Sequence, residues 1–231
     1  GILKKIRVAF IFKSSNIFLS GNHFDNTYYH FFMNSLKRNA RLEITYFPTN
    51  ESFDTSVLKD KFDIILLWQN TEFGMPKELI GIEELDIPVI ADVCDPQDAK
   101  NAIKFHKKWK IDHYFHYYPE ALFHDLFPKN FKYTSIIFGL EPSLYQNVSP
   151  FRDRMKNKIL NSGAVGNTKF LSRILNSIRN PKWNSYNYYT LRTKCNDLQY
   201  VDYTTTLSHE YVGDKYSLLL QKYAGGIAAT S

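Results

Sequence analysis

YTSIIFGLEPSLYQNVSPFRDRMKNKILNSGAVGNTKFLSR, Tyr133 to Arg173, holds two strand-like runs joined by a polar crossover. Tyr133–Phe138 is the first run and ends in the turn Gly139-Leu140-Glu141-Pro142. Lys158–Ser162 is the second, followed by the small-residue loop Gly163-Ala164-Val165-Gly166 and a helix expected from about Lys169. A Gly-rich loop between a strand and a helix N-terminus offers backbone N–H groups and the positive end of the helix dipole to a phosphate. The first half of this stretch closes one α/β unit and the second half opens another.

Upstream, the same alternation runs back to the N-terminus. Ile6–Phe12 (IRVAFIF) is apolar apart from Arg7, of strand length and rich in β-branched and aromatic residues, as a buried parallel strand requires. A polar loop with Gly21, Asn22 and His23 leads into a helix expected from Asn26 to Lys37, with Asp25 as its N-cap. Further strands are expected at Leu42–Phe47, stopped by Pro48, and at Asp63–Trp68, Ile87–Ala91 and Asp112–Tyr117. Helices are expected at Phe53–Asp60, Met75–Glu84 and Glu120–Leu126, and another from Pro96 behind a capping Asp95. Downstream, Trp183–Leu191 shows no clear period, Lys215–Lys222 reads as a helix and Gly225–Ala229 as a small-residue strand. Strands alternating with helices mean a parallel sheet covered on both faces, with ligands beyond the carboxyl ends of the strands. The expected organisation is a first domain over 1–145, a crossover linker over 146–156 and a second domain beginning at 157. That second unit is short for a complete α/β domain, so the reading expects it to continue beyond Ser231.

The net charge of +6 suits phosphate-bearing ligands, an anionic membrane surface or nucleic acid, and separates them poorly. Lys100, Lys104, Lys107, Lys108 and Lys110 cluster on one expected helix, as a solvated face or a membrane-surface patch. Two cysteines far apart, Cys94 and Cys195, make neither a disulfide framework nor a metal knuckle. No secretory leader is evident, and the longest apolar run, Ile64–Trp68, is far too short to span a bilayer. A cytoplasmic protein, at most peripheral to membranes, is the expectation.

His23 stands in a loop at a strand's carboxyl end beside Gly21 and Asn22, where it reads as a solvated loop residue, a general base or a substrate contact. Asp92 and Asp95 follow another strand. Capping accounts for Asp95, while Asp92 is free to bond a sugar hydroxyl or to orient His23. His113 and His116 lie three apart on a strand and face opposite ways, so they cannot chelate one ion. No Asp-x-Asp pair occurs, and no metal is expected. Lys169 and Arg173, four apart at a helix start, share a face and can meet a diphosphate. The run FDIILLWQN has a receiver-like build, but its strand ends on Trp68, Gln69 and Asn70, none of which accepts a phosphoryl group.

Taken together, IIFGLEPSLY, KILNSGAVG and YSLLLQKYAGGIAATS resemble a two-domain GT-B glycosyltransferase of the family-4-like, spore-maturation-type group. The resemblance implies a Rossmann-like acceptor domain followed by a Rossmann-like donor domain, here incomplete. It implies transfer of a sugar from a nucleotide-sugar donor to a glycan or lipid-linked acceptor, with no cofactor and with retention of the anomeric configuration. Catalytic roles then fall to His23 and Asp92, and acceptor binding to Gly21, Asn22, Asp95 and Glu141. Donor binding falls to Gly163, Ala164, Val165, Gly166, Lys169 and Arg173. The acidic residues that such families place after the last strand would lie beyond Ser231. A non-catalytic α/β module that binds a sugar or nucleotide is the alternative. Nucleic acid is not an expected partner, since no recognition signature accompanies the charge.

Overall fold

The computed structural model describes residues 4–15, 28–137, 139, 147–162, 169–179, 181–182, 186–204 and 214–228. These separate into two compact units, one within 4–139 and one within 147–228.

The first unit is built on a six-stranded parallel sheet. Its strands are β1 (Ile6–Lys13), β2 (Leu42–Thr49), β4 (Ile64–Leu67), β6 (Val89–Asp92), β7 (His113–His116) and β8 (Tyr133–Ser135). They lie in the order β2-β1-β4-β6-β7-β8. The order runs outward in both directions from β1 and β4, so the connections leave on opposite faces and the sheet is covered on both. That explains why Val8 to Phe12 are all buried, rather than every second residue. Three α-helices join the strands: α1 (Tyr28–Arg38), α2 (Ala99–Lys108) and α3 (Glu120–Leu126). Trp109 and Phe105 stack at 4.2 Å under the sheet. Phe123 stacks on Tyr133 at 4.1 Å and on Phe127 at 4.9 Å, closing the β8 end of the core. The α/β parallel architecture expected from the sequence is present in this unit.

Several local expectations are corrected. β2 does not stop at Pro48 but runs on to Thr49 in register with Lys13. It is an edge strand, where a residue without an N–H costs no ladder bond. The helix expected over Phe53–Asp60 is instead β3 (Ser52–Asp54) followed by a 3-10 turn at Thr55–Leu58, capped by Asp54 Oδ1 accepting from Ser56 N–H at 3.0 Å. The helix expected over Met75–Glu84 is β5 (Glu78–Ile80) and a second 3-10 turn at Ile82–Glu84. Leu79 is buried between exposed Glu78 and Ile80, which is strand alternation, and Gly81 then turns the chain at φ 77°. β3 and β5 pair in parallel as a small second sheet, tied by the Thr55 hydroxyl donating to Ile80 O at 2.7 Å. Pro96 does open a helical turn, at Pro96–Asp98, but the Asp95 carboxylate caps nothing: it accepts from the Gln97 amide at 3.2 Å. The expected Asp25 cap lies outside the described residues.

The second unit holds β9 (Ile159–Asn161), α4 (Phe170–Arg179), α5 (Tyr186–Cys195), β10 (Val201–Tyr203) and α6 (Asp214–Gln221). β9 and β10 pair in parallel. Asn161, buried, anchors β9 by donating to Arg192 O at 3.0 Å and to Asn196 Oδ1 at 2.6 Å. In place of the strand expected at Gly225–Ala229, the described part of this run makes one isolated parallel bridge, Gly226 to Leu160. Within the stretch read as linker, Ser149 N–H donates to Gln221 Oε1 at 2.8 Å and Met155 bridges Tyr223, so residues 149–155 pack inside this unit.

Candidate functional site

In the first unit the chemistry collects at the carboxyl ends of β4, β6 and β7. Asp92 is the last residue of β6 and His116 the last of β7, and the parallel register sets Asp92 opposite Phe115. The two side chains therefore meet across neighbouring strand ends. His116 Nδ1 lies 2.6 Å from Asp92 Oδ1, and both residues are buried. The same oxygen accepts from Val93 N–H at 2.9 Å. Burial raises the Asp92 carboxyl above its ordinary value, against the lowering effect of these two bonds. In the tautomer that donates Nδ1–H to Asp92, the ring's lone pair is on Nε2. Nε2 is buried and has no hydrogen-bond partner among the described residues.

Aromatic residues hold the ring in place. Tyr117 lies 3.9 Å from the His116 ring centroid, and Tyr118 meets it edge-on at 4.3 Å. The Tyr133 hydroxyl, from β8, sits 3.0 Å from His116 O and 2.5 Å from Tyr118 O and clamps the end of β7. Burial pushes the Tyr133 hydroxyl up to about 12, so it stays a donor. The Tyr118 hydroxyl reaches Cys94 O at 3.3 Å, and burial raises it too. On the other side, Asn70 follows β4. Its Oδ1 accepts from Cys94 N–H at 2.8 Å, while its buried Nδ2 finds no partner among the described residues. The strand ends thus carry an imidazole nitrogen, with its ring held by Asp92, and an amide nitrogen, with its oxygen held by Cys94 N–H, neither of which has a partner among the described residues.

Of the residues singled out in the sequence, Asp92 is in this cluster and Asp95 stands three residues on, exposed. Gly21, Asn22, His23 and Glu141 lie outside the described residues. The described partner of Asp92 is His116, which sequence reasoning had set aside with His113. The opposite-face argument was sound, and its consequence is that His116 turns inward. His113 instead bonds Thr134 Oγ1 at 2.7 Å on the other side. The signal that could have found the pair is positional: each residue lies within one position of the end of a strand expected to be parallel, Ile87–Ala91 for Asp92 and Asp112–Tyr117 for His116.

The second unit carries a cavity of about 400 Å³ at the carboxyl end of β9. Arg154, Ser162, Tyr216, Tyr223, Gly225 and Gly226 are among the residues that line it. Ser162 Oγ and Tyr216 Oη are 3.0 Å apart. A Cβ on Gly226 would stand 3.2 Å from Leu160 O, so this close pass of backbone over β9 favours glycine. Gly163, Ala164, Val165 and Gly166 follow Ser162 directly in sequence and lie outside the described residues. Lys169 and Arg173 are joined by the Arg173 N–H to Lys169 O bond of 3.1 Å at the start of α4, and both are exposed.

No family model, no curated protein and no solved structure matches this chain. Its α/β architecture rests on its own strand order and register.

Proposed function

We propose that this protein takes part in glycosyl transfer, moving a sugar from a nucleotide-sugar donor onto a hydroxyl of a glycan or lipid-linked acceptor. The observation that carries the reading is the buried Asp92–His116 pair at the carboxyl ends of a parallel sheet, with its Nε2 lone pair unmatched among the described residues. In this reading the first unit takes the acceptor and the second takes the donor. The acceptor oxygen bonds to the anomeric carbon, and the bond from that carbon to the diphosphate oxygen breaks. The diphosphate leaves with the electron pair, and the acceptor proton passes to His116 Nε2. Asp92 steadies the imidazolium formed, as a positioned carboxylate does for a histidine base. Asn70 Nδ2 supplies a donor to a neighbouring sugar oxygen.

Arg154, the Ser162 and Tyr216 hydroxyls and the backbone at Gly225 and Gly226 are the groups available to the diphosphate in the second unit's cavity. Lys169, Arg173 and the loop from Gly163 to Gly166 add cationic and backbone donors in the same reading. Such preset donors stabilise charge on a leaving group without solvent reorganisation.

The test is thermal unfolding with UDP, GDP and CDP and their sugars, followed by a transfer assay with the nucleotide that binds. A ligand at a hundred times its dissociation constant adds roughly 2.7 kcal/mol of stability, which is easily seen as a higher midpoint. His116→Ala should abolish transfer and leave the nucleotide-induced shift in place. If no nucleotide raises the midpoint, the donor reading fails. A nucleotide shift without transfer in the parent chain would favour a sugar- or nucleotide-binding module instead.

A further inference from the structure

α4 carries an apolar face that the described residues of the second unit leave exposed. Phe170, Leu171, Ile174, Leu175 and Ile178 fall within about 140° of the helix circumference at 100° per residue. All five are exposed, from 40% for Ile174 to 74% for Phe170. The half-buried residues of the helix are the polar Ser172 and Asn176, so α4 rests on its polar side and turns its apolar side out. α2 shows the contrast. It is also basic, but its apolar Ala102 and Phe105 enter the core and Lys108 pairs with Glu78 at 2.9 Å.

The charge around α4 is equally one-sided. Between Asp153 and Asp197 the sequence has nine lysines and arginines and no aspartate or glutamate. That leaves twenty basic residues for the rest of the chain against 23 acidic ones, so the whole basic excess of the protein lies in this segment. From Lys169 to Lys182 the only charges are Lys169, Arg173, Arg179 and Lys182.

We infer that α4 docks on an anionic lipid surface, lying in the interface with Phe170, Leu171, Ile174, Leu175 and Ile178 among the acyl chains. Arg179 and Lys182 meet the headgroups beside the apolar face. An interfacial helix of this kind binds through apolar area on one face and cations at its border. A second copy of this chain fits the face poorly, because a symmetric contact would bring two sets of cations together with no acid on either segment. Nucleic acid would use the cations but has no use for an aliphatic face, and the helix offers one aromatic ring, Phe170. The inference stands apart from the proposed glycosyl transfer, since it uses neither the Asp92–His116 pair nor the cavity at β9.

The experiment is co-sedimentation of the full chain with vesicles of mixed phosphatidylglycerol and phosphatidylcholine, beside pure phosphatidylcholine. The protein should bind the anionic vesicles, bind the neutral ones far less, and lose affinity as salt is raised. Ile174→Ser with Ile178→Ser should weaken binding at least about tenfold, since two buried aliphatic side chains are lost. Arg179→Ala with Lys182→Ala should weaken it about 25-fold, at roughly fivefold per cation near the surface. All four side chains stand at the surface, and unchanged circular dichroism and thermal midpoints will confirm that the variants fold. Failure to bind anionic vesicles would overturn the inference. So would binding that the two serine substitutions leave unchanged, or a dimer in solution that those substitutions dissociate. Single-stranded DNA bound equally by the parent and the serine variant, and lost in the Arg179/Lys182 variant, would reassign the segment to nucleic acid.

Discussion

Replacing Asp92 and His116 by alanine, singly and together, measures how strongly the pair is bonded. The two side chains are buried and 2.6 Å apart. A hydrogen bond to a charged group is worth about 1.5–3 kcal/mol, and a buried donor left unpaired costs about 1–3 kcal/mol. Asp92→Ala removes the acceptor of both His116 Nδ1 and Val93 N–H, so a loss of about 3–6 kcal/mol is expected from these terms. His116→Ala leaves the carboxylate buried with Val93 N–H and also empties the space of the ring, for a loss of about 3–5 kcal/mol. The double variant no longer contains the pair, so it should be more stable than the sum of the singles predicts by about 1.5–3 kcal/mol. Urea unfolding followed by tryptophan fluorescence in a Trp183→Phe background is the suitable assay. The two remaining tryptophans, Trp68 and Trp109, are both buried in the first unit. Effects that add to within about 0.3–0.5 kcal/mol would mean that the two side chains act independently, and the account of the site would be wrong.

Gly81→Ala should cost about 1–2 kcal/mol, because a side chain at φ 77° meets the left-handed penalty although its Cβ would have room, 3.7 Å from Thr55 Oγ1. An unchanged urea midpoint would show that the turn is not held in that conformation. Arg7 holds the Asp63 carboxyl down at about 2 through its guanidinium and its own N–H. Because the folded value lies below the unfolded one, this stabilisation is present above about pH 4 and fades as pH falls toward 2. Asp63→Asn should therefore flatten the acid limb of stability by up to about one proton in that window, and equal slopes for parent and variant would contradict it. Gly226→Val should destabilise the second unit by driving the chain off Leu160 O, and should lower affinity for whatever the neighbouring cavity binds. An unaltered midpoint and affinity would show that the close pass is not needed.

The long elements were legible because each had a strong signal. A parallel strand buried on both faces must be apolar at every buried position, and Val8–Phe12 (VAFIF) is so. Glu120–Leu126 is the helix expected from its sequence, bound for bound. The three-residue strands β3 and β5 were not legible, since a single buried Phe53 or Leu79 makes no period by itself. The intact-looking helix over Met75–Glu84 dissolves on Gly81, whose conformation a helix cannot hold. Nor does the sequence bring Asp92 to His116, 24 positions away. Their meeting depends on β6 and β7 being neighbours in register, a tertiary fact that propensities do not carry. His23 drew attention through its local glycine and asparagine. His116 is held by Tyr117, Tyr118 and Tyr133, which composition alone shows only as a surplus of tyrosine.

β2 ends the six-stranded sheet on one side, and it carries Pro48 near its carboxyl end. An open edge invites strands from other molecules, and a residue that can donate no N–H blunts that invitation. The opposite edge, β8, is three residues long and gives an incoming strand little to hold. Edge pairing with another copy is thereby disfavoured at the Pro48 end of β2 and along the short β8, while Leu42–Phe47 is the length of edge a foreign strand would have to use.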